Sequence, residues 1–231
     1  MIRYALACLT LILPLAAHAD ERTVMVTGFD TIRVDGPFVV TATTAGPPGA
    51  KITGDARALD MVDIEMQGRT LIISESASDW GGYPGERHER PTIAVSAHDI
   101  GEVAVRGGGA ITLDRAEAMH VQLGVIGSGS VSVGEVRADT LDAVVAGSGS
   151  LTVSGTAANA SFANSGSGSI DASGLDVRDL SATSDGTGTN RFTAERTADI
   201  TALGVGDVTV KGPAACRIRG PGPVRCEKLA E

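Results

Sequence analysis

The stretch Gly147-Ser148-Gly149-Ser150-Leu151-Thr152-Val153 decides the fold, because the same phrase recurs along the C-terminal half of the chain. It reads GGGAITL from Gly107, GSGSVSV from Gly127 and GSGSIDA from Gly166, with weaker copies from Gly186, Gly204 and Gly220. Successive starts lie 20, 20, 19, 20, 18 and 16 residues apart. Self-similarity at a nearly fixed period marks a solenoid, in which each repeat is one coil stacked on its neighbours. Composition alone suggests a flexible Gly/Ser linker, but the phase of the flanking residues excludes it.

Counting from the first glycine of each phrase as zero, the apolar residues fall on even offsets: Ile111 and Leu113, Val131 and Val133, Leu151 and Val153 after the bend. Before it they are Val121 and Leu123, Leu141 and Ala143, Ala160 and Phe162. Alternation at period two is the strand signature, so each coil reads as strand, Gly-x-Gly bend, strand, with even positions inward. Both glycines are then expected on the inside, where a side chain would crowd the opposing wall. Odd positions carry hydroxyls, notably Ser128, Ser130, Ser148, Ser150, Ser167 and Ser169. Stacking at ~4.8 Å lines these up as a Ser/Thr/Gly strip. The fold class read here is all-β: a single-stranded parallel β-helix of ~20-residue coils with Gly-x-Gly bends and irregular N-terminal strands. An antiparallel sandwich would not need such constant phrases.

Residues 1–19 read as a secretory signal peptide, with Arg3, an apolar run and the Ala17-His18-Ala19 cleavage pattern before Asp20. The remainder, 20–231, reads as one domain. Within it 20–100 holds less regular strands, 76–91 is a surface excursion, and 101–231 forms the regular coils. Short strands are expected at Thr23–Thr27, Thr31–Asp35, Phe38–Thr44 and Lys51–Thr53, one helical turn at Asp55–Met61, and a hairpin about Gln67-Gly68-Arg69. The excursion carries the only Trp of the chain, Trp80, with Tyr83. Such residues are enriched at binding hot spots, although Trp80 could equally fold back as a cap.

Losing Arg3 leaves 18 basic against 28 acidic residues, a balance of −10 that disfavours nucleic acid and anionic membranes as partners. No later run is long and apolar enough to cross a bilayer. Cys216 and Cys226, at offsets −4 and +6, share the inward parity and are expected to form a disulfide closing the terminal coil. Metal, P-loop and Ser-hydrolase motifs do not occur, so no cofactor or metal is implied. Asp171, Asp185 and Asp207 are the carboxylates a β-helical lyase or glycosidase could use, but their offsets do not form one rank.

The order of segments resembles a known family. Phe29 to Val40, Ile52-Thr53-Gly54-Asp55, Leu71-Ile72-Ile73, Thr92 to Val95 and the GSGS repeats together are similar to the autotransporter adhesin head GIN domain, a domain of unknown function. The resemblance implies an exported bacterial β-helix and supplies no catalytic residues. Trp80 and the cysteine pair depart from its pattern. The combined expectation is a non-enzymatic scaffold at the periplasm or cell surface that binds a glycan or a cell-surface protein, with Trp80, Tyr83 and the serine strip as contacts. Edge or end stacking into a homo-oligomer is a further expectation. A carbohydrate-active β-helix enzyme is the alternative, and an ice- or mineral-ordering face a third.

Overall fold

The computed structural model describes residues 20–76 and 90–227. The expected signal peptide, Trp80 and Tyr83 lie outside the described residues. The N-terminal part contains β1 (Asp20–Val24), β2 (Thr31–Asp35), β3 (Val39–Thr43), β4 (Gly49–Gly54), α1 (Ala56–Asp60), β5 (Val62–Gln67), β6 (Thr70–Glu75), β7 (Thr92–Ser96) and β8 (Glu102–Gly107). The coils are β9 (Ala110–Gly127), β10 (Ser130–Gly147), β11 (Ser150–Gly166), β12 (Ser169–Gly186) and β13 (Asn190–Ala202). Shorter strands β14 (Val208–Lys211), β15 (Ala215–Arg219) and β16 (Val224–Glu227) complete the stack, a parallel β-solenoid of about six turns.

Each long strand is one whole turn. Val131 and Val133 are buried, then Val136, then Leu141, Ala143 and Val145. The inward parity therefore flips at 134–135 and again at 139–140, which places corners there. With the glycine bend as the third corner, a coil has three faces: residues 130–133, 136–138 and 140–146 in the case of β10. The neighbouring coil repeats this residue for residue, from Ser130 opposite Ala110 to Gly147 opposite Gly127. Inside, ladders of Val, Ile, Leu and Ala run along the axis, and the section is narrow enough for Phe162 and Phe192 to meet with ring centroids 4.9 Å apart.

The glycine bend departs in one respect from the sequence expectation. From Gly107 to Gly188 the second glycine of each pair is buried, but the first lies at the corner with positive φ, +117° at Gly127 and +119° at Gly147. What excludes a side chain is the coil beneath rather than an opposing wall. A Cβ on Gly149 would sit 2.4 Å from the Gly129 carbonyl oxygen and 2.5 Å from Val125 Cγ1. Coils approach this closely because Ser148 and Gly149 N–H both donate to Gly127 O, at 2.9 and 3.0 Å, and Ser150 N–H donates to Gly129 O at 3.0 Å.

The irregular N-terminal strands are partly regular coil. β2 pairs in parallel with β8 and β6, and β3 with β9 and β7. Gly36-Pro37-Phe38 is a further copy of the bend, with Gly36 at φ +130° lying under Gly107–Gly109. After β3 the chain leaves to build a cap before β8 resumes the stack. Three pairings in that cap are antiparallel: β1 with β4, β4 with β7, and β5 with β6. The expected helical turn is α1, whose N-cap Asp55 accepts the Ala58 N–H at 2.7 Å. The hairpin turns at Gly68, φ +64°.

Both ends of the core are bridged. At the N-terminal end Arg22 reaches from β1 to donate to Val62 O on β5, at 2.5 Å. At the other end the expected disulfide is present between Cys216 and Cys226. It joins β15, stacked on Ala198, to β16, stacked on Val210.

Candidate functional site

The serine strip forms as the alternation requires. Ser130, Ser150 and Ser169 stand opposite one another in register, half exposed, while Ser128, Ser148 and Ser167 project fully at the bend. Each bend serine also donates its backbone N–H to the glycine carbonyl below, at 2.9 Å, so the main chain is satisfied and the hydroxyls are left outward. The next column runs from Ser132 and Thr152 to Asp171, which accepts from Ser173 Oγ at 2.6 Å and lies 3.9 Å from Arg191, the residue opposite it on the next coil. The hydrogen bond from Ser173 holds this carboxyl below its ordinary range, against the effect of burial.

The three carboxylates singled out in the sequence do not converge. Asp171 and Asp207 project from the first face, Asp207 lying 3.9 Å from Arg225, whereas Asp185 stands opposite Ser165 on the third face. Among the described residues no group of three or more His, Cys, Asp or Glu is arranged to hold a metal ion. No helix there is long and apolar enough to cross a membrane.

Sequence reasoning missed a trough on the third face beside the second corner. Two outward columns run along the axis here. The first is Thr140, Asn159, Asp179 and Thr197, and the second Asp142, Ser161, Ser181, Asp199 and Arg217. Between them a hollow of about 270 Å³ opens over Ala160 and Leu180. Asp179 fastens its rim, accepting from Thr197 Oγ1 at 2.6 Å, from Arg196 Nε at 2.8 Å and from Arg196 Nη2. The Arg196 guanidinium and the Thr197 hydroxyl lower its pKa to about 2. Lower on the same corner a second hollow, of about 280 Å³, lies among Asp30, Arg69, Glu102, Glu117 and His120. His120 Nε2 lies 3.3 Å from Asp142 Oδ2, across the two columns and between the two hollows. A signal for the trough existed in the polar residues at 140–142, 159–161, 179–181 and 197–199, but it falls outside the constant phrase.

A buried polar ladder also appears. Asn164 Nδ2 donates to Gly168 O at 2.8 Å and to Asn190 Oδ1 at 2.7 Å, and Asn190 Nδ2 donates to Ser184 Oγ at 3.0 Å. Asn164 and Ser184 occupy the column that Val125 and Val145 fill in earlier coils.

The family model described as "Putative auto-transporter adhesin, head GIN domain" matches residues 28–214. No curated protein matches the chain in sequence. Among solved structures, a putative adhesin from Bacteroides fragilis is 18% identical with a TM-score of 0.81, the match covering 93% of this chain and 98% of that one. A putative lipid binding protein from Parabacteroides distasonis is 20% identical at 0.72, over 93% and 98% of the two chains. A putative adhesin from Parabacteroides merdae is 19% identical at 0.69, over 93% and 97%. At these identities the likeness establishes the fold.

Proposed function

The chain belongs to the auto-transporter adhesin head GIN domain family, and on that premise we propose that it is an exported, non-enzymatic β-helical protein of one domain that binds a glycan or a cell-surface protein. The observation that carries this reading is the register of its outward columns. Ladders of hydroxyls repeat over successive coils with the N–H groups of the bend serines paired to the coil beneath, a surface preorganised for a large partner. The serines at 128, 130, 148, 150, 167 and 169 are proposed contacts, with Trp80 and Tyr83 as aromatic anchors. Export is supported by the disulfide, which persists in oxidising compartments. The separation of Asp171, Asp207 and Asp185 over two faces speaks against the carbohydrate-active enzyme.

The test is binding of the purified mature chain to intact bacterial and host cells, followed by flow cytometry, beside N-terminal sequencing of the exported product. Saturable adherence that weakens on Trp80→Ala or on replacing the bend serines is expected. Absence of saturable adherence, or turnover of a polysaccharide that Asp185→Asn abolishes, would overturn the reading.

A further inference from the structure

We propose that the upper trough on the third face is a binding site for an uncharged glycan chain lying along the solenoid axis. This rests on the adhesin reading and names a site that the serine strip does not include.

Three observations carry the inference. The first is unmet hydrogen-bonding capacity. Among the described residues Thr140, Ser161 and Ser181 have no side-chain hydrogen-bond partner, and neither has Asp199, one of whose carboxylate oxygens is buried and unpaired. Buried polar atoms are satisfied in the great majority of cases, so an orphan acceptor at a hollow points to a donor from outside. A sugar hydroxyl both donates and accepts. It can meet Asp199 as a donor once that side chain turns outward, and the serines in either sense.

The second is pitch. Ser161, Ser181 and Asp199 are opposite one another on consecutive coils, as are Thr140, Asn159, Asp179 and Thr197, so like groups recur every ~4.8 Å along the axis. A pyranose in an extended chain advances by about one such step, so successive sugars reach successive coils, and in a β-1,4-linked chain, which turns over from one unit to the next, the same edge returns at every second coil. Ala160 and Leu180 underlie the hollow but are turned into the core, so the sugars are held by their hydroxyl edges.

The third is charge. Asp179 is neutralised by Arg196 and Arg178, and Arg217 stands directly above Asp199. The upper hollow is therefore close to balanced, which suits an uncharged sugar. The lower one is acidic, with Asp30, Asp99, Glu102 and Glu117 against Arg69. A uronate chain extending along the corner meets Asp142 and then that acidic hollow, so it is excluded.

The experiment is isothermal titration of the mature chain with β-1,4-linked N-acetylglucosamine oligomers from one to six sugars, with oligogalacturonate as the charged comparison. Affinity should rise with chain length up to four sugars, one for each coil from Thr140 to Thr197, and then level off. Oligogalacturonate should bind more weakly than the neutral chain of equal length. Ser181→Trp, which fills the trough at an outward position, should weaken binding at least about tenfold. Thr156→Trp, exposed on the second face and in no proposed contact, should leave it unchanged, with thermal melts confirming that each variant is folded. No binding of any oligomer, equal binding of the uronate, or an unaffected Ser181→Trp would overturn the site. If Ser181→Trp still adheres to cells like the unmodified chain, the trough proposal fails and the adhesin reading stands. Loss of adherence in Ser150→Trp with oligomer binding intact would leave both and place cell contact on the strip.

Discussion

Replacing Gly149 by Ala tests the claim that the coil spacing, and not the fold of any single bend, demands glycine there. The added methyl meets Gly129 O at 2.4 Å and Val125 Cγ1 at 2.5 Å, and neither can withdraw freely. The carbonyl belongs to a bend held above and below, and Val125 is fully buried. Overpacking of this kind costs about 1–3 kcal/mol. If the coils part to admit the methyl, the hydrogen bonds from Gly149 N–H to Gly127 O and Ser150 N–H to Gly129 O stretch. At about 1 kcal/mol each they bring the sum to about 3–5 kcal/mol, a large share of the ~5–15 kcal/mol available to a domain. Gly108 is the matched control. It is exposed, its φ is not in the left-handed region, and a Cβ there meets only Ser128 Oγ at 3.6 Å. Gly108→Ala should be neutral or stabilise by about 0.4–1 kcal/mol through the unfolded chain. Urea unfolding followed by far-UV circular dichroism reads both. A Gly149→Ala penalty below about 1 kcal/mol, or equal penalties at the two sites, would refute the reasoning.

Three further outcomes are expected. Removing the disulfide as Cys216→Ala with Cys226→Ala opens a bridge of sequence separation 10, worth about 2.7 kcal/mol in the chain-entropy model. Hydrogen exchange should show that loss confined to β14–β16, with β10 and β11 unchanged, because coils interact only with their neighbours. Acid unfolding should set in below about pH 4. Asp179 titrates near 2 in the fold against an ordinary 3.8, so its stabilisation is complete above the ordinary value and disappears as pH falls through the lower one. Asp30 beside Arg69 and Glu135 beside Arg137 are lowered in the same sense, and Asp179→Asn should flatten part of the acid limb of a melting-temperature profile. Asn190→Val should destabilise by about 1–3 kcal/mol by stranding Asn164 and Ser184, whereas replacing all three by Val should recover most of that loss in the same urea assay.

The constant phrase revealed the coil because its glycines are imposed by backbone contact between coils, which nothing but glycine satisfies. The cysteine pairing was legible for a related reason, since inward parity carries unbroken from Cys216 through the bend to Cys226. What was hidden lies where parity flips. The corners at 134–135 and 139–140 reverse the inward sense between them, so counting evenly from Gly127 turns Val136 and Ala138 outward although Val136 is buried. The second face is lined by small residues such as Ala118, Ala138 and Ala157, which give no apolar rhythm to follow. The copy of the bend at Gly36 escaped because Phe38 stands where other copies have a second glycine. The Asn164–Asn190–Ser184 ladder was equally illegible: three polar residues on inward positions hydrogen-bond to one another across coils, a relation that exists only in three dimensions.

The bridge between Cys216 and Cys226 has a mechanical consequence. Hydrogen bonds between coils run along the axis, so tension applied at the two termini loads them singly, and a stack of this kind unravels by peeling from an end. A pull on Glu227 passes through Cys226 and the sulfur bridge into Cys216, bypassing the nine-residue segment 217–225 between them. The segment between the cysteines is thus taken out of the line of force, and the first contacts loaded at this end are those of Ala215 and Cys216 in β15 with Thr197 and Ala198 of β13 beneath. For a molecule tethered at one end and gripped at the other, the covalent clasp sets where the rod first gives way.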